Sequence, residues 1–196
     1  MRKFKRFKEI LIDPGVFDLK QSSSYSWEGT ININEFLDSL PENHFFSYDY
    51  PSDMNLYYEH CFIEKSWINA KKYHNYPQYI TTIQGKFNNY FNYIECFHRY
   101  NDLEPEFMGL GNMCQHRTLN KFLKHTIPYI FKYSNAKRIH IYGLCKGGIP
   151  FAAKMAKLYK KEFSVDQEKW QYFLPSKLRP MLLCNYLNDI LREIMI

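Results

Sequence analysis

The sequence predicts an α/β fold with parallel strands, a (β/α) barrel of the TIM type that is reduced or incomplete. Three observations predict it. Six short runs of β-branched and aromatic residues read as buried parallel strands. The segments between them are long enough for crossover helices and carry apolar residues at helical spacing. At 196 residues the chain is short for a closed eight-stranded barrel, which takes about 250.

The elements follow in order. Ile10-Leu11-Ile12 forms the first strand and leaves through Asp13-Pro14-Gly15, where proline fixes the backbone and glycine permits a tight exit. The polar stretch 21–29 reads as a loop near the strand ends. Residues 34–40 read as a short helix stopped by Pro41, ahead of a second strand that runs from Phe45 to Tyr50. A helix over 56–73 is expected to turn Cys61, Ile63, Trp67 and Ile68 inward. The third strand ends in Gln84-Gly85, and a helix over 88–100 carries Phe91, Ile94 and Phe97 at helical spacing. The fourth strand ends in Gly109-Leu110-Gly111, and the helix over 118–133 that follows contains Pro128 as a candidate kink. The fifth strand, Ile139-His140-Ile141, runs into Tyr142-Gly143-Leu144. A helix over 149–161 offers Ala152, Ala153 and Ala156 for close packing, with Lys154, Lys157, Lys160 and Lys161 as an exposed, solubilising stripe. The last strand is Phe163-Ser164-Val165 with Asp166 at its end, and 180–196 reads as a terminal amphipathic helix. No repeat or linker divides the chain, so residues 1–196 are expected to form one barrel-like domain.

Composition narrows the function classes. Hydrophobic residues make up 45 %, which places the chain among globular rather than disordered proteins. A net charge of +6 fits a polyanionic partner without demanding one. The basic stretch over 2–8 reads as a solvated lead-in to the first strand. No run reaches membrane-span length and no signal-peptide pattern opens the chain, so no membrane association is expected. Five cysteines without paired spacing argue against a disulfide framework and for a reduced, cytoplasmic setting. Cys114-Gln115-His116 and Cys145 lack a C-x-x-C pair, so no metal and no other cofactor is expected.

The strand ends hold the candidate chemistry. Asp13, Asp49, Gln84 and Asp166 are expected to converge on one mouth, because active sites in such folds lie at the carboxyl ends of the strands. Asp49 stands between Tyr48 and Tyr50, and a carboxylate among aromatics is costly unless paired or used. The amide of Gln84 offers a donor and an acceptor, which suits the edge of a nucleobase. Gly109-Leu110-Gly111 is expected to leave backbone groups open to a ligand.

Together these motifs resemble the tRNA-guanine transglycosylases, and still more the related DNA-guanine transglycosylases of 7-deazaguanine modification. The resemblance rests on short motifs in the same order over residues 9–172. Asp13-Pro14-Gly15 with Phe17 is similar to the family's aspartate-serine-glycine turn and its following aromatic. Asp49, Gln84-Gly85 and Gly109-Leu110-Gly111 match its base-binding positions, His140-Ile141-Tyr142-Gly143-Leu144 matches a later strand, and Asp166 falls where the family has its aspartate nucleophile. Pro14 replaces the usual serine, the family's opening strands are missing, and no cysteine-histidine cluster supplies a C-terminal zinc subdomain. That last departure favours DNA over tRNA as the polymer.

The resemblance implies a pentosyltransferase that exchanges guanine for a 7-deazaguanine base. Asp166 would attack the sugar carbon and hold a covalent intermediate, and Asp13 would carry protons. Asp49, Gln84 and the Gly109, Leu110 and Gly111 backbone would read the base, with Phe17 stacked on its face. A catalytically inactive homologue or partner subunit that binds a base or nucleic acid is the alternative, and a second copy or another subunit completing the barrel is a further expectation.

One competing motif remains. Gly143-Leu144-Cys145-Lys146-Gly147 is close to the nucleophile elbow of α/β-hydrolases, with Cys145 as nucleophile. The last histidine, His140, precedes that cysteine, so the usual order of triad residues cannot be assembled.

Overall fold

The computed structural model describes residues 10–12, 32–50, 59–114 and 116–166. Six strands, β1 (Ile10–Ile12), β2 (His44–Ser47), β3 (Tyr79–Ile83), β4 (Phe107–Leu110), β5 (Arg138–Ile141) and β6 (Glu162–Val165), pair in sequence order. Every pairing is parallel. The sheet curls into a half-barrel, so the expected incomplete barrel is the fold. Among the described residues five helices alternate with the strands: α1 (Ile33–Ser39), α2 (Glu59–Tyr73), α3 (Tyr90–Asn101), α4 (Lys121–Tyr133) and α5 (Gly148–Tyr159).

Three of these helices start on asparagine. Asn32, Asn89 and Asn120 each accept a backbone N–H of the first turn, a cap whose loss to alanine costs about 1 kcal/mol. Pro128 does lie inside α4 and removes one N–H donor there. No described helix is long and apolar enough to cross a membrane.

The outer face of the sheet is the core. Ile83, Met108, Leu110, Ile139 and Ile141 pack against Phe97, Tyr100, Leu123, Ile127 and Phe131 of α3 and α4. Side chains alternate along a strand, so the same backbone that buries these residues sends their neighbours to the inner face. Those neighbours form three levels. At the amino ends lie Phe45, Ile80 and Phe107, with the Arg138 guanidinium 4.4 Å and 4.2 Å from the two phenyl centroids and Glu162 beside it. The middle level holds Ser47, Thr82, Gly109, His140 and Ser164, the last four in one line of register. The level at the carboxyl ends holds Asp49, Gln84, Gly111, Tyr142 and Asp166.

Several sequence expectations need correction. Cys61 and Ile68 of α2 face outward, Ile68 being 59 % exposed, while Ile63 is buried as expected. Phe91 is 84 % exposed because it lies on the far side of α3 from Tyr93, Phe97 and Tyr100, which carry that helix's contact with the sheet. Lys161 does not belong to a solvated stripe. Its ammonium donates to the carbonyls of Ser134 and Ala136 at 2.7 Å each, and burial lowers its pKa. The loop over 21–29 and the helix over 180–196 lie outside the described residues.

Candidate functional site

The site builds up from the middle level of the inner face. Ser47 Oγ donates to Asp49 Oδ1 and lies 2.8 Å from Thr82 Oγ1. Gln84 Nε2 donates to the other carboxylate oxygen, Asp49 Oδ2, at 2.5 Å. Asp49 is half-buried, while Ser47, Thr82 and Gln84 are buried. A carboxylate at this depth is stable because charge-assisted donors replace its water.

Tyr142 closes the network from β5. Burial, then the Asp49 carboxylate, hold the pKa of its hydroxyl far above the ordinary phenol value. The Asp166 carboxylate acts on it in the same sense. The phenol therefore stays protonated.

Small residues make this packing feasible. A Cβ on Gly109 would stand 2.9 Å from the Tyr142 ring, and one on Gly111 would stand 2.6 Å from the Gln84 side-chain carbonyl carbon. Leu110 turns its side chain into the outer core. The backbone groups expected to be open are largely engaged. Leu110 O accepts from Tyr142 N–H, Gly111 N–H donates to Ile83 O, and Gly111 O accepts the Tyr93 hydroxyl at 2.9 Å. Asn112 Nδ2 donates to Gly85 O and ties the loops after β3 and β4 together. The His116 ring is stacked between Phe87 and Phe122, at 5.0 Å and 4.8 Å between centroids, and its burial lowers its pKa.

The β5–β6 side is built differently. Asp166 ends β6 with its side chain 51 % exposed, and its Oδ1 accepts the Gly143 N–H at 2.5 Å. Gly143 has φ +64, and a Cβ there would also meet Cys114 Cα at 2.7 Å, so glycine is required twice over. Beneath Asp166 lies His140, buried, with Nδ1 2.9 Å from Ser164 Oγ.

Of the residues singled out from sequence, Asp49 and Gln84 touch, Gly109 and Gly111 pack beside them, and Asp166 shares their face at the same level. Asp13 and Phe17 lie outside the described residues. Ser47, Thr82, Tyr142, His140 and Gly143 join the site without being among the candidate residues that the strand ends single out. The alternation rule holds the signal for four of them, since each stands two residues before a named site residue or one register line away.

Cys145 is buried in the apolar core beside Ile149, with no histidine partner among the described residues. Among the described residues no group of three or more His, Cys, Asp or Glu could hold a metal ion. Compared with known proteins, the chain matches no family model, and no curated protein or solved structure is similar to it.

Proposed function

We propose that the chain is a guanine transglycosylase that exchanges guanine for a 7-deazaguanine base in nucleic acid, with DNA as the favoured polymer. The observation that carries this reading is the Asp49–Gln84 pair on the same inner face, and at the same level, as the half-exposed carboxylate of Asp166. Guanine presents two N–H donors along one edge and two acceptors along another. A carboxylate accepts the first, and a primary amide donates to the second. Asp49 and Gln84 supply that combination side by side, with Ser47 and its neighbour Thr82 fixing the carboxylate beforehand.

Asp166 is the nucleophile in this reading. One of its oxygens forms a bond to C1′ of the sugar as the C1′–base bond breaks, and the bonding pair leaves with the base. Asp13, at the first strand's exit, gives a proton to the departing base and takes one from the incoming base. The incoming base attacks C1′ and returns the ester pair to Asp166. No metal enters any step. The burial of Cys145 among apolar groups gives the hydrolase reading no support.

Incubation with labelled guanine and either DNA or tRNA tests the proposal. Label is expected in DNA. Incorporation into neither polymer favours the alternative, a chain that binds a base or a partner subunit without turning it over.

A further inference from the structure

His140 is a buried titratable group that the mechanism above leaves unused. It is 1 % exposed and packs edge-on against Tyr142 with ring centroids 4.4 Å apart. Its Nδ1 is occupied by Ser164, 2.9 Å away. Its Nε2 has no hydrogen-bond partner and lies 3.8 Å from Asp166 Oδ1. Leaving a buried polar nitrogen unsatisfied is costly, and native structures do so rarely unless another state of the site uses the group. That same Oδ1 already accepts the Gly143 N–H. Two donors from one strand and its exit turn are thus aimed at a single oxygen.

We infer that His140 is a positioning residue for Asp166: its Nε2–H joins the Gly143 N–H on Oδ1 and leaves Oδ2 as the oxygen that attacks C1′. The inference rests on the transglycosylase reading and deepens it. Closing 3.8 Å to hydrogen-bond length needs a movement of about 1 Å in an exposed side chain. Contacts of this kind tighten when substrate fills a site. This role requires the tautomer in which the Ser164 hydroxyl donates to Nδ1 and the proton sits on Nε2.

The electron bookkeeping is simple. A lone pair on Oδ2 makes the C1′ bond, and the departing base takes the old bonding pair. Oδ1 becomes the carbonyl oxygen of the ester and keeps both donors. When the second base attacks C1′, the ester pair returns to Oδ2. His140 keeps its proton throughout, so it acts through Asp166 and never on the substrate.

Two measurements on the full chain test this. Nitrogen-15 NMR of the neutral His140 ring, without substrate, should find the proton on Nε2. A proton on Nδ1 would point a lone pair at Asp166 and overturn the inference. The second measurement compares His140→Phe, which keeps the ring but has no donor, with His140→Gln, which restores a donor at similar reach. Covalent adduct formation should slow by about 10- to 100-fold in the phenylalanine variant, the usual cost of losing a hydrogen bond to a charged group, with guanine affinity unchanged. The glutamine variant should recover most of that rate. Equal losses in both variants would mark a purely structural histidine. If the unsubstituted protein forms no adduct at all, the nucleophile reading fails and this role fails with it. The substrate-free NMR result separates that failure from a wrong placement of the imidazole.

Discussion

The two sides of the mouth are built to opposite rules. On the β2–β4 side, Asp49 is gripped by Ser47 and Gln84, and Thr82 holds Ser47 from the neighbouring strand. The loops above are pinned by Asn112, Tyr93 and the His116 stack. On the β5–β6 side, Asp166 ends an edge strand whose side chains are half-buried or exposed, and the Gly143 N–H is the hydrogen bond that holds it. A group that reads a base gains from rigidity, because orientation is set before binding. A group that attacks must keep an oxygen uncovered. The contrast in burial supports the proposed division into a base-reading side and a reacting side.

Replacing each carboxylate tests that division most sharply. Asp166→Asn should abolish covalent adduct formation and base exchange. Its stability should change by no more than about 1 kcal/mol, since asparagine can still accept the Gly143 N–H. Asp49→Asn should behave differently. Its new amide faces a donor, Ser47 or Gln84, so the variant should lose about 1–3 kcal/mol of stability and bind guanine about 10- to 100-fold more weakly. Adduct trapping, denaturant unfolding and base titration give the three readouts. An Asp166→Asn protein less stable than Asp49→Asn would break the comparison.

Glycine substitutions sharpen it further. Gly111→Ala would drive a methyl into the Gln84 amide and the Ile83 carbonyl oxygen, 2.8 Å away. It should weaken guanine binding while leaving the Asp166 side intact, and should cost about 1–3 kcal/mol through overpacking. Gly147→Ala, past the fifth strand, meets nothing within 4 Å and sits at φ −69. That change should leave binding alone and stabilise by about 0.4–1 kcal/mol through the unfolded chain. A binding loss in Gly147→Ala comparable to that in Gly111→Ala would remove the distinction between the two sides.

The fold was legible because the strands are unambiguous. Runs such as Tyr79–Ile83 are apolar or β-branched throughout and end in Gln84-Gly85, and three of the helices between them start on asparagine caps. Helix faces were less legible. Apolar spacing points Ile68 inward and puts Phe91 on one stripe with Ile94 and Phe97, yet a helix on the outside of a sheet buries one stripe, and on Phe91's helix Tyr93 and Tyr100 share it with Phe97. At the site, residue types at strand ends marked Asp49, Gln84 and Asp166, because polar groups there interrupt apolar runs. Ser47 and Thr82 gave no such signal. The hydroxyl of Ser47 serves Asp49 at its own strand end, and Thr82 joins it through a contact between residues 35 apart in the chain. The lysine at 161 misled for a related reason, since its partners are carbonyls of a turn over 134–136 that sequence does not mark as acceptors.

The smallest expected effect concerns acid and the reading side. His116 sits neutral between Phe87 and Phe122, and its burial lowers its pKa below the ordinary histidine value. The unfolded chain therefore takes up a proton at this residue at a higher pH than the folded chain does. The stability this residue contributes is fully present above the unfolded value of about 6.5 and is lost as pH falls below it, with a slope of at most about 1.4 kcal/mol per pH unit. Glu64 also loses stability in acid, because the hydrogen bond from Arg99 lowers its pKa, but that loss begins only near the carboxylate range and the pair is partly exposed. Between about pH 6.5 and 5 the two contributions separate. His116→Phe keeps an aromatic ring in the stack and removes the titration. Its unfolding free energy should therefore fall less steeply across that interval than that of the unsubstituted protein. Guanine binding by the folded protein should hold in the same interval, since the folded chain keeps His116 neutral and with it the stack that pins the loops after β3 and β4. Asp166 has no such link to His116, so adduct formation at saturating base should hold its rate there. A parallel fall in both would mean that acid acts on the whole mouth and that the reading side is not separately pinned.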